Sequence, residues 1–162
     1  GWGSLSRHMA ENYGCSIKGI SLSEEQIKYC QNEKQKSKSK DSLGYSLQDY
    51  RHENDTYNKI VSVGMFEHVG KPFYKTYFKK IHDLLDKDGI AVIHTIGNIR
   101  TPKITAAFIR TYVFPGGYIP TLSENVMVDE NVARREVETM EWSADVGAGS
   151  QATAAAEMQR WA

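Results

Sequence analysis

Apolar residues recur along this chain in two spacings, one typical of helices and one typical of strands. Leu5, Met9 and Tyr13 follow one another at every fourth position, which predicts a first helix that ends at Gly14. Polar and apolar residues alternate over residues 15–20, which predicts a short strand directly after that helix. The chain therefore opens with a helix and a strand in sequence.

A second helix is predicted next, because Ser23 and Gln26 have the spacing of an N-terminal capping box. The helical pattern continues through Cys30 towards Lys34. Lysines then alternate with Gln and Ser over residues 34–40, without aromatic residues or glycines. We interpret this stretch as a solvated linker rather than a phosphate-binding patch.

The middle of the chain predicts strands that alternate with a helix. A brief strand is expected over residues 44–48, and residues 57–64 form the β-branched run typical of a central strand covered on both faces. Residues 73–85 carry an apolar stripe at helical spacing. A turn at residues 87–89 leads to a buried strand over residues 90–96. This order predicts an α/β fold with a doubly wound, mostly parallel sheet.

The last third of the chain has weaker patterns. Residues 102–112 predict a further helix, and residues 114–120 predict a rigid loop rich in aromatic residues, proline and glycine. Residues 137–140 have the pattern of a residual strand, after which Ala, Gly, Ser and Thr dominate without a clear period.

Composition narrows the classes of function. The 162 residues are enough for one domain, and 20 basic residues balance 20 acidic ones, so no net field favours nucleic acid. No apolar run reaches the roughly 20 residues that span a bilayer, so any membrane contact is expected to be peripheral. Cys15 and Cys30 fit no zinc or redox motif, which favours a cytoplasmic setting without a metal site.

Candidate ligand-binding residues stand at the predicted carboxyl ends of strands, where open α/β sheets bind ligands. The turn Gly1–Gly3 precedes a helix and can bring backbone amides close to a ligand, although alone it is more typical of an ordinary loop. The segment at residues 19–26 follows the next strand, and Gln48 with Asp49 closes the third strand. We expect these three segments to share one rim of the sheet.

A second group of candidates follows the two buried strands. Glu67 and His68 follow the strand at residues 57–64, where acid–base chemistry and a carboxylate that caps the next helix are equally good explanations. His94 and Ile96 end the next strand and are expected at the neighbouring edge of the same crevice. A hydrogen-bonded core histidine is the alternative for His94.

Six segments resemble, in order and spacing, the bacterial cyclopropane-fatty-acyl-phospholipid synthases and the mycolic acid cyclopropane synthases: GWGSLSRHMAENYG, GISLSEEQ, LQDYR, YNKIVSVGMFEHVG, LLDKDGIAVIHTIG and FIRTYVFPGGYIPTLSE. The combination of FEHVG, HTIG and FPGGYIP is the most specific part. The resemblance implies a class I (Rossmann-like) methyltransferase core over residues 1–124 that lacks its first strand. Residues 125–162 are expected to be a tail outside that core.

The resemblance also implies a reaction, in which S-adenosylmethionine donates a methylene group to the cis double bond of an unsaturated phospholipid acyl chain. The residues that it implies for cofactor binding are Gly1, Trp2, Gly3, Ser21, Leu22, Ser23, Gln26, Gln48 and Asp49. At the reaction centre it implies Glu67, His94 and Ile96, which would hold a bicarbonate ion that accepts a proton. Peripheral membrane contact from the cytoplasm and a homodimer are expected as well.

Two alternatives stay open at this point. A methyltransferase that makes methyl-branched lipids, or one that methylates a small amine, would use the same scaffold; FEHVG with HTIG favours a lipid substrate but does not separate ring from branch. The other alternative is a catalytically inactive fragment, since the strand expected before the glycine turn is central in such a sheet. The resemblance further implies a cysteine in the anion site, which neither Cys15 nor Cys30 matches.

Overall fold

The computed structural model describes residues 1–97 and, further along, positions 108, 111, 112, 115 and 117–121 and the backbone of Val137–Trp142. The chain divides into two compact units, the first formed by Gly1–Glu53 and the second by the described residues from Asn54 onwards. Each unit is described by itself. Among the helices of the described residues, none combines the length and apolarity needed to cross a bilayer.

The first unit opens with helix α1, which spans Ser4–Tyr13 as predicted. Gly3 and Gly14 flank it with φ angles of 73° and 65°, in the left-handed region that side chains disfavour. Gly14 is therefore the stop that the sequence indicated, and Gly3 lets the chain turn sharply into the helix.

Two parallel strands follow, joined by a helix. Strand β1 spans Ile17–Ser21, helix α2 spans Glu24–Lys36 and strand β2 spans Leu43–Leu47. The strands run in register from the Ile17–Leu43 pair to the Ser21–Leu47 pair, so both end at the same level. The predicted strands were correct in kind and shifted by one or two residues.

Helix α2 extends further than the sequence pattern predicted. It continues to Lys36, where an exposed ion pair joins Lys36 to Glu33 at 2.6 Å, so the first lysines of the expected linker are helical. The capping box at its start is half formed. Ser23 Oγ accepts the amide of Gln26, but the Gln26 side chain bonds to Ser21 instead of returning to Ser23.

The second unit contains strand β3 (Tyr57–Val63), helix α3 (Tyr74–Leu84), strand β4 (Leu85–Ile96) and strand β5 (Val137–Trp142). The three strands are parallel and lie in the order β3, β4, β5. Within the described sheet β4 is the middle strand and β3 lies at an edge, so the expectation that β3 is central and covered on both faces is wrong there. The residual strand expected at residues 137–140 is confirmed.

Helix α3 closes one face of the second unit with aromatic residues. Its buried stripe includes Tyr74, Tyr77 and Phe78, whose rings surround the fully buried Phe66 at centroid distances of 4.4 to 5.4 Å. Such clusters bury a large apolar area and prefer tilted or offset geometries. Phe66 therefore anchors the short 3₁₀ turn Phe66–His68, which carries a candidate site residue.

The turn predicted at residues 87–89 lies inside strand β4. Tyr57 pairs with Leu85 and Lys59 pairs with Ile90, so β4 carries extra residues between these two positions. A Cβ atom placed on Gly89 would lie 3.0 Å from the Asp86 carbonyl oxygen, so residues 86–89 form a tight turn, as predicted, within the span of the strand. The helix predicted over residues 102–112 and the tail over residues 125–162 fall mostly outside the described residues; Phe108 is helical, and its ring lies 5.4 Å from that of Tyr112.

Candidate functional site

The glycine turn, Gly1–Gly3, packs against two side chains of the first unit. A Cβ atom placed on Gly3 would lie 2.7 Å from Cys30 Sγ and 3.2 Å from the Tyr45 hydroxyl oxygen. Cys30 is buried on α2, and its thiol contacts the Gly1 carbonyl at 3.6 Å. Burial raises the pKa of the Cys30 thiol, so that it stays neutral beneath the turn. Only glycine fits at the third position of this turn.

Trp2, the middle residue of the turn, is more than half exposed and meets the Tyr29 ring edge-on at 5.4 Å. A shallow depression of about 230 Å³ lies beside this pair and is lined by Trp2, Glu25, Lys28, Tyr29 and Asn32. Trp2 is the one predicted cofactor residue that lines it. The depression is therefore a surface feature of α2 and not the site that the sequence predicts.

The second predicted segment forms a compact loop at the end of β1. Ser21 Oγ donates to Gln26 Oε1 at 2.7 Å and accepts the Ser23 amide at 3.2 Å. Leu22, between these residues, is 73% exposed. The loop thus presents an apolar side chain to solvent while its polar groups are satisfied internally.

The third predicted segment joins the second through the backbone. The Gln48 amide donates to the Ser21 carbonyl at 3.0 Å, which ties the ends of β2 and β1 together. Gln48 Nε2 donates to Glu53 at 3.0 Å, and the buried Glu53 is ion-paired with Lys18 at 2.9 Å. Gln48 is therefore held by a chain of polar contacts that begins on β1.

Asp49 is bound by its neighbour Arg51. The guanidinium of Arg51 donates to both carboxylate oxygens, at 3.0 and 2.6 Å, and the Arg51 amide donates to Oδ1 at 2.9 Å. These hydrogen bonds lower the pKa of Asp49 to about 2, so the group is a carboxylate at neutral pH.

The first unit thus brings the segments Ser21–Gln26 and Gln48–Asp49 together at one end of its two strands. Leu22 and Leu47 are both exposed there, beside the polar Gln48 and Asp49. An apolar surface with a few fixed polar groups suits a nucleoside, whose flat base has polar edges. The residues present therefore fit the adenosyl part of S-adenosylmethionine.

Glu67 is the centre of the candidate site in the second unit. It is 1% exposed, and its Oε1 accepts the Ile96 amide at 2.7 Å. Its backbone carbonyl accepts the amide of Tyr118 at 3.0 Å. The other carboxyl oxygen, Oε2, is buried and has no hydrogen-bond partner in the described part of the chain.

His94 presents a second such atom. It lies on β4 two positions before Ile96, and its carbonyl accepts the Gly64 amide at 3.0 Å. Its Nδ1 is buried and without a hydrogen-bond partner among the described residues. Because buried polar atoms are almost always paired, each of these two atoms needs a partner that the described residues do not supply. Bicarbonate, which has a hydroxyl donor and two acceptor oxygens, fits a carboxyl oxygen and a ring nitrogen.

The adjacent Glu67 and His68 lie in different environments. The side chain of Glu67 is buried whereas His68 is exposed. Nor does Glu67 cap the following helix, since α3 begins at Tyr74 without a side-chain cap. Its carboxyl group instead binds the end of strand β4 through Ile96. A contact between the Ile96 backbone and a bound anion stays a prediction, because here that amide donates to Glu67.

Sequence reasoning missed the residues that support these sites. Gln48 is held by Glu53, which pairs with Lys18 from 35 positions away. The glycine turn is held by Ser6, which bonds to Tyr45 from 39 positions away. No local motif marks such pairs. A charged residue such as Glu53 after the end of a strand was the one available signal, and it is a weak one.

Comparison with known proteins gives consistent results. Residues 1–145 match the family profile described as mycolic acid cyclopropane synthetase. Cyclopropane-fatty-acyl-phospholipid synthase of Escherichia coli (strain K12) is 42% identical over 124 residues, which cover 76% of this chain and 31% of that protein. The chain thus spans about a third of that relative.

Two solved structures are similar to this fold. The cyclopropane synthase MmaA2 from Mycobacterium tuberculosis has a TM-score of 0.75 at 26% identity, and the mycolic acid cyclopropane synthase CmaA1 complexed with SAH and CTAB has a TM-score of 0.72 at 26% identity. Each match covers 82% of this chain and 51% of the solved chain. These likenesses confirm the fold class expected from the sequence.

Proposed function

This chain belongs to the mycolic acid cyclopropane synthetase family, and from that membership we propose that it serves the S-adenosylmethionine-dependent cyclopropanation of lipid acyl chains. The substrate that we propose is an unsaturated phospholipid, as the name of the Escherichia coli relative suggests. The observation that carries the proposal is the pair of buried, unpartnered atoms Glu67 Oε2 and His94 Nδ1 in the described residues.

The first unit is the proposed cofactor site. Gly3 allows the backbone to approach a ligand closely, Leu22 offers an apolar surface for the base, and Gln48 with Asp49 offers polar groups beside it. The SAH in the CmaA1 complex supports the identity of the cofactor, because SAH is the product left when S-adenosylmethionine has lost its methyl group. Gly1, Trp2, Ser21, Ser23 and Gln26 complete the proposed set.

The proposed reaction needs no activated nucleophile. The electron pair of the alkene forms a bond to the methyl carbon while the bond from that carbon to sulfur breaks, and the carbocation then loses a proton from the transferred carbon to close the ring. Catalysis therefore consists mainly of orientation, exclusion of water and stabilisation of positive charge. Bicarbonate, when bound, supplies the base that takes the proton.

The residues of the second unit hold that ion in our proposal. His94 Nδ1 would donate to it, and Glu67 Oε2 would accept its hydroxyl hydrogen. Glu67 Oε1 stays on the Ile96 amide, which fixes the carboxyl group in one orientation. We further propose that the enzyme works at the membrane surface from the cytoplasmic side and that it forms a homodimer.

Isotope-labelled S-adenosylmethionine and vesicles of unsaturated phospholipid test the proposal. We expect the label in cyclopropane acyl chains, found by mass spectrometry after the lipids are hydrolysed, and none when the vesicles are fully saturated. His94→Gln should lower product formation by about a hundredfold, the loss typical of an electrostatic or acid–base group. His82→Gln, on the exposed face of α3, is the matched control and should retain activity.

The products separate the competing functions. Labelled methyl-branched acyl chains instead of cyclopropane rings would show that the reaction is methyl branching. A labelled small amine without labelled lipid would overturn the lipid assignment. Binding of S-adenosylhomocysteine without any turnover would limit the chain to a cofactor-binding role. Sedimentation velocity with and without vesicles tests the homodimer and the membrane contact.

A further inference from the structure

Tyr45 connects the two strands of the first unit to the glycine turn. It lies on β2 directly opposite Gly19 of β1, and a Cβ atom on Gly19 would lie 2.9 Å from Tyr45 Cδ1. The absence of a side chain at Gly19 thus gives the Tyr45 ring its place across the sheet. The ring lies over Gly19 on one face of the sheet, and its hydroxyl group reaches the turn.

The direction of the hydrogen bonds follows from the chemistry of the groups. Ser6 Oγ lies 2.9 Å from the Gly3 carbonyl and 2.8 Å from the Tyr45 hydroxyl. A carbonyl can only accept, so the single hydroxyl hydrogen of Ser6 goes to Gly3. Tyr45 must then donate to Ser6, which makes a chain from Tyr45 through Ser6 to Gly3.

This chain fixes a peptide plane of the turn. The Gly3 carbonyl accepts from Ser6 and also from the Arg7 amide at 3.1 Å, so both of its lone pairs are used. The peptide between Gly3 and Ser4 is planar and trans, so its N–H points opposite to this carbonyl. The two hydrogen bonds fix the direction of the Gly3 carbonyl, and they therefore also fix the opposite direction of the Ser4 N–H. In our proposal this N–H faces the ligand of the turn.

We propose that Tyr45 is a positioning residue for the cofactor, one that sets the glycine turn through Ser6 without touching the cofactor itself. The inference rests on the proposed function, because it assigns the turn to S-adenosylmethionine. Tyr45 belongs to no sequence motif, and its hydroxyl group would influence the affinity for the cofactor without contacting it.

The test is a double-mutant cycle on the full chain, with S-adenosylhomocysteine as the probe in isothermal titration calorimetry. Tyr45→Phe keeps the ring on Gly19 and removes only the donor, and Ser6→Ala removes the link. We expect each variant to raise Kd about five- to tenfold and the double variant to raise it no further than Ser6→Ala, because the two side chains act in one chain. Tyr13→Phe, a partly exposed tyrosine of the same unit, is the control and should bind like the wild type.

A second readout separates positioning from stability. Hydrogen exchange of the Arg7 amide, which reports on the Gly3 carbonyl, should speed up in Tyr45→Phe while exchange in β1 stays unchanged. A wild type that binds the probe and a Tyr45→Phe variant of equal affinity would overturn the inference alone. So would effects of the two variants that add in free energy. A wild type that fails to bind would overturn the proposed function itself, and the cofactor role of Tyr45 with it.

Discussion

Glu67 and Ile96 meet through a single short hydrogen bond, in which the Ile96 amide donates to Glu67 Oε1 at 2.7 Å. The bond fastens the 3₁₀ turn after β3 to the end of β4. Glu67 Oε2 has no partner in the described residues, so one oxygen of this carboxyl group is structural and the other is the one to which our proposal assigns a ligand.

Replacing Glu67 separates these two roles. Glu67→Ala removes the acceptor of the Ile96 amide and should lower the free energy of unfolding by about 1–3 kcal/mol, the range for a hydrogen bond to a charged group or one whose partner is left unpaired. Glu67→Gln keeps an acceptor oxygen and should be close to the wild type in stability, but deficient in product formation. Urea denaturation measures the first effect and lipid analysis the second. Equal stability of the Ala and Gln variants would contradict the structural role.

The close packing of Gly3 on Cys30 predicts unequal costs for two alanine substitutions. Gly14→Ala meets no atom within 4 Å, so it should cost only the left-handed φ, about 1–2 kcal/mol. Gly3→Ala has a similar φ and also places its Cβ 2.7 Å from Cys30 Sγ, so it should cost more. Thermal and urea unfolding of both variants measure the difference.

A change at Cys30 identifies the cause of that difference. In a Cys30→Ala background the clashing sulfur is gone, and the nearest atom of residue 30 would lie 3.5 Å away, an ordinary contact. The cost of Gly3→Ala should then fall towards that of Gly14→Ala. If Cys30→Ala leaves the destabilisation by Gly3→Ala unchanged, Gly3 does not pack on Cys30 as described.

The contact between Asp49 and Arg51 predicts a pH dependence. The pKa of Asp49 is lowered from 3.8 to about 2, so its contribution to stability is full above the unfolded value and is lost as the pH falls through about 2. Arg51→Gln should raise the Asp49 pKa towards 3.8, as measured by NMR titration of the carboxyl group. The wild type should be only slightly more stable than the variant near pH 5, because water screens the exposed arginine. In strong acid Asp49 is protonated, so the two stabilities should converge. If the Asp49 pKa in Arg51→Gln stays as low as in the wild type, Arg51 is not the cause of the lowered value.

The two cysteines should differ in reactivity. Cys30 is 1% exposed with a raised pKa, whereas Cys15 is partly exposed. A thiol reagent at neutral pH should therefore modify one cysteine of the native chain and two after denaturation, and peptide mapping should identify Cys15 as the first. Rapid labelling of Cys30 in the native chain would show that the glycine turn opens.

The sequence predicted best what depends on neighbouring residues. Helix α1 was located from its apolar spacing and from Gly14, which are local signals. The position of β3 in its sheet was mistaken because a β-branched run indicates burial, while the neighbours of a strand depend on pairing between distant segments. The turn at residues 87–89 was located from Asp88 and Gly89, but the sequence did not show that β4 begins before it, at Leu85.

The same division holds for the candidate sites. The rule that ligands bind at the carboxyl ends of strands located Glu67 and His94, and family likeness supplied their proposed roles. The supporting contacts could not be derived in this way. Tyr45 with Ser6 and Glu53 with Lys18 come together only when β1 and β2 pair, and nothing in their local sequence indicates a partner.

The parallel pairing of β4 with β5 has a consequence for synthesis on the ribosome. Ile96 lies opposite Trp142, so the neighbour strand of the segment that carries His94 is translated long after that segment has emerged. Closing so long a connection is entropically costly, and such non-local contacts form late. Until β5 arrives, a nascent chain has β4 with one edge unpaired, and a translational pause in this interval would lengthen its exposure to aggregation.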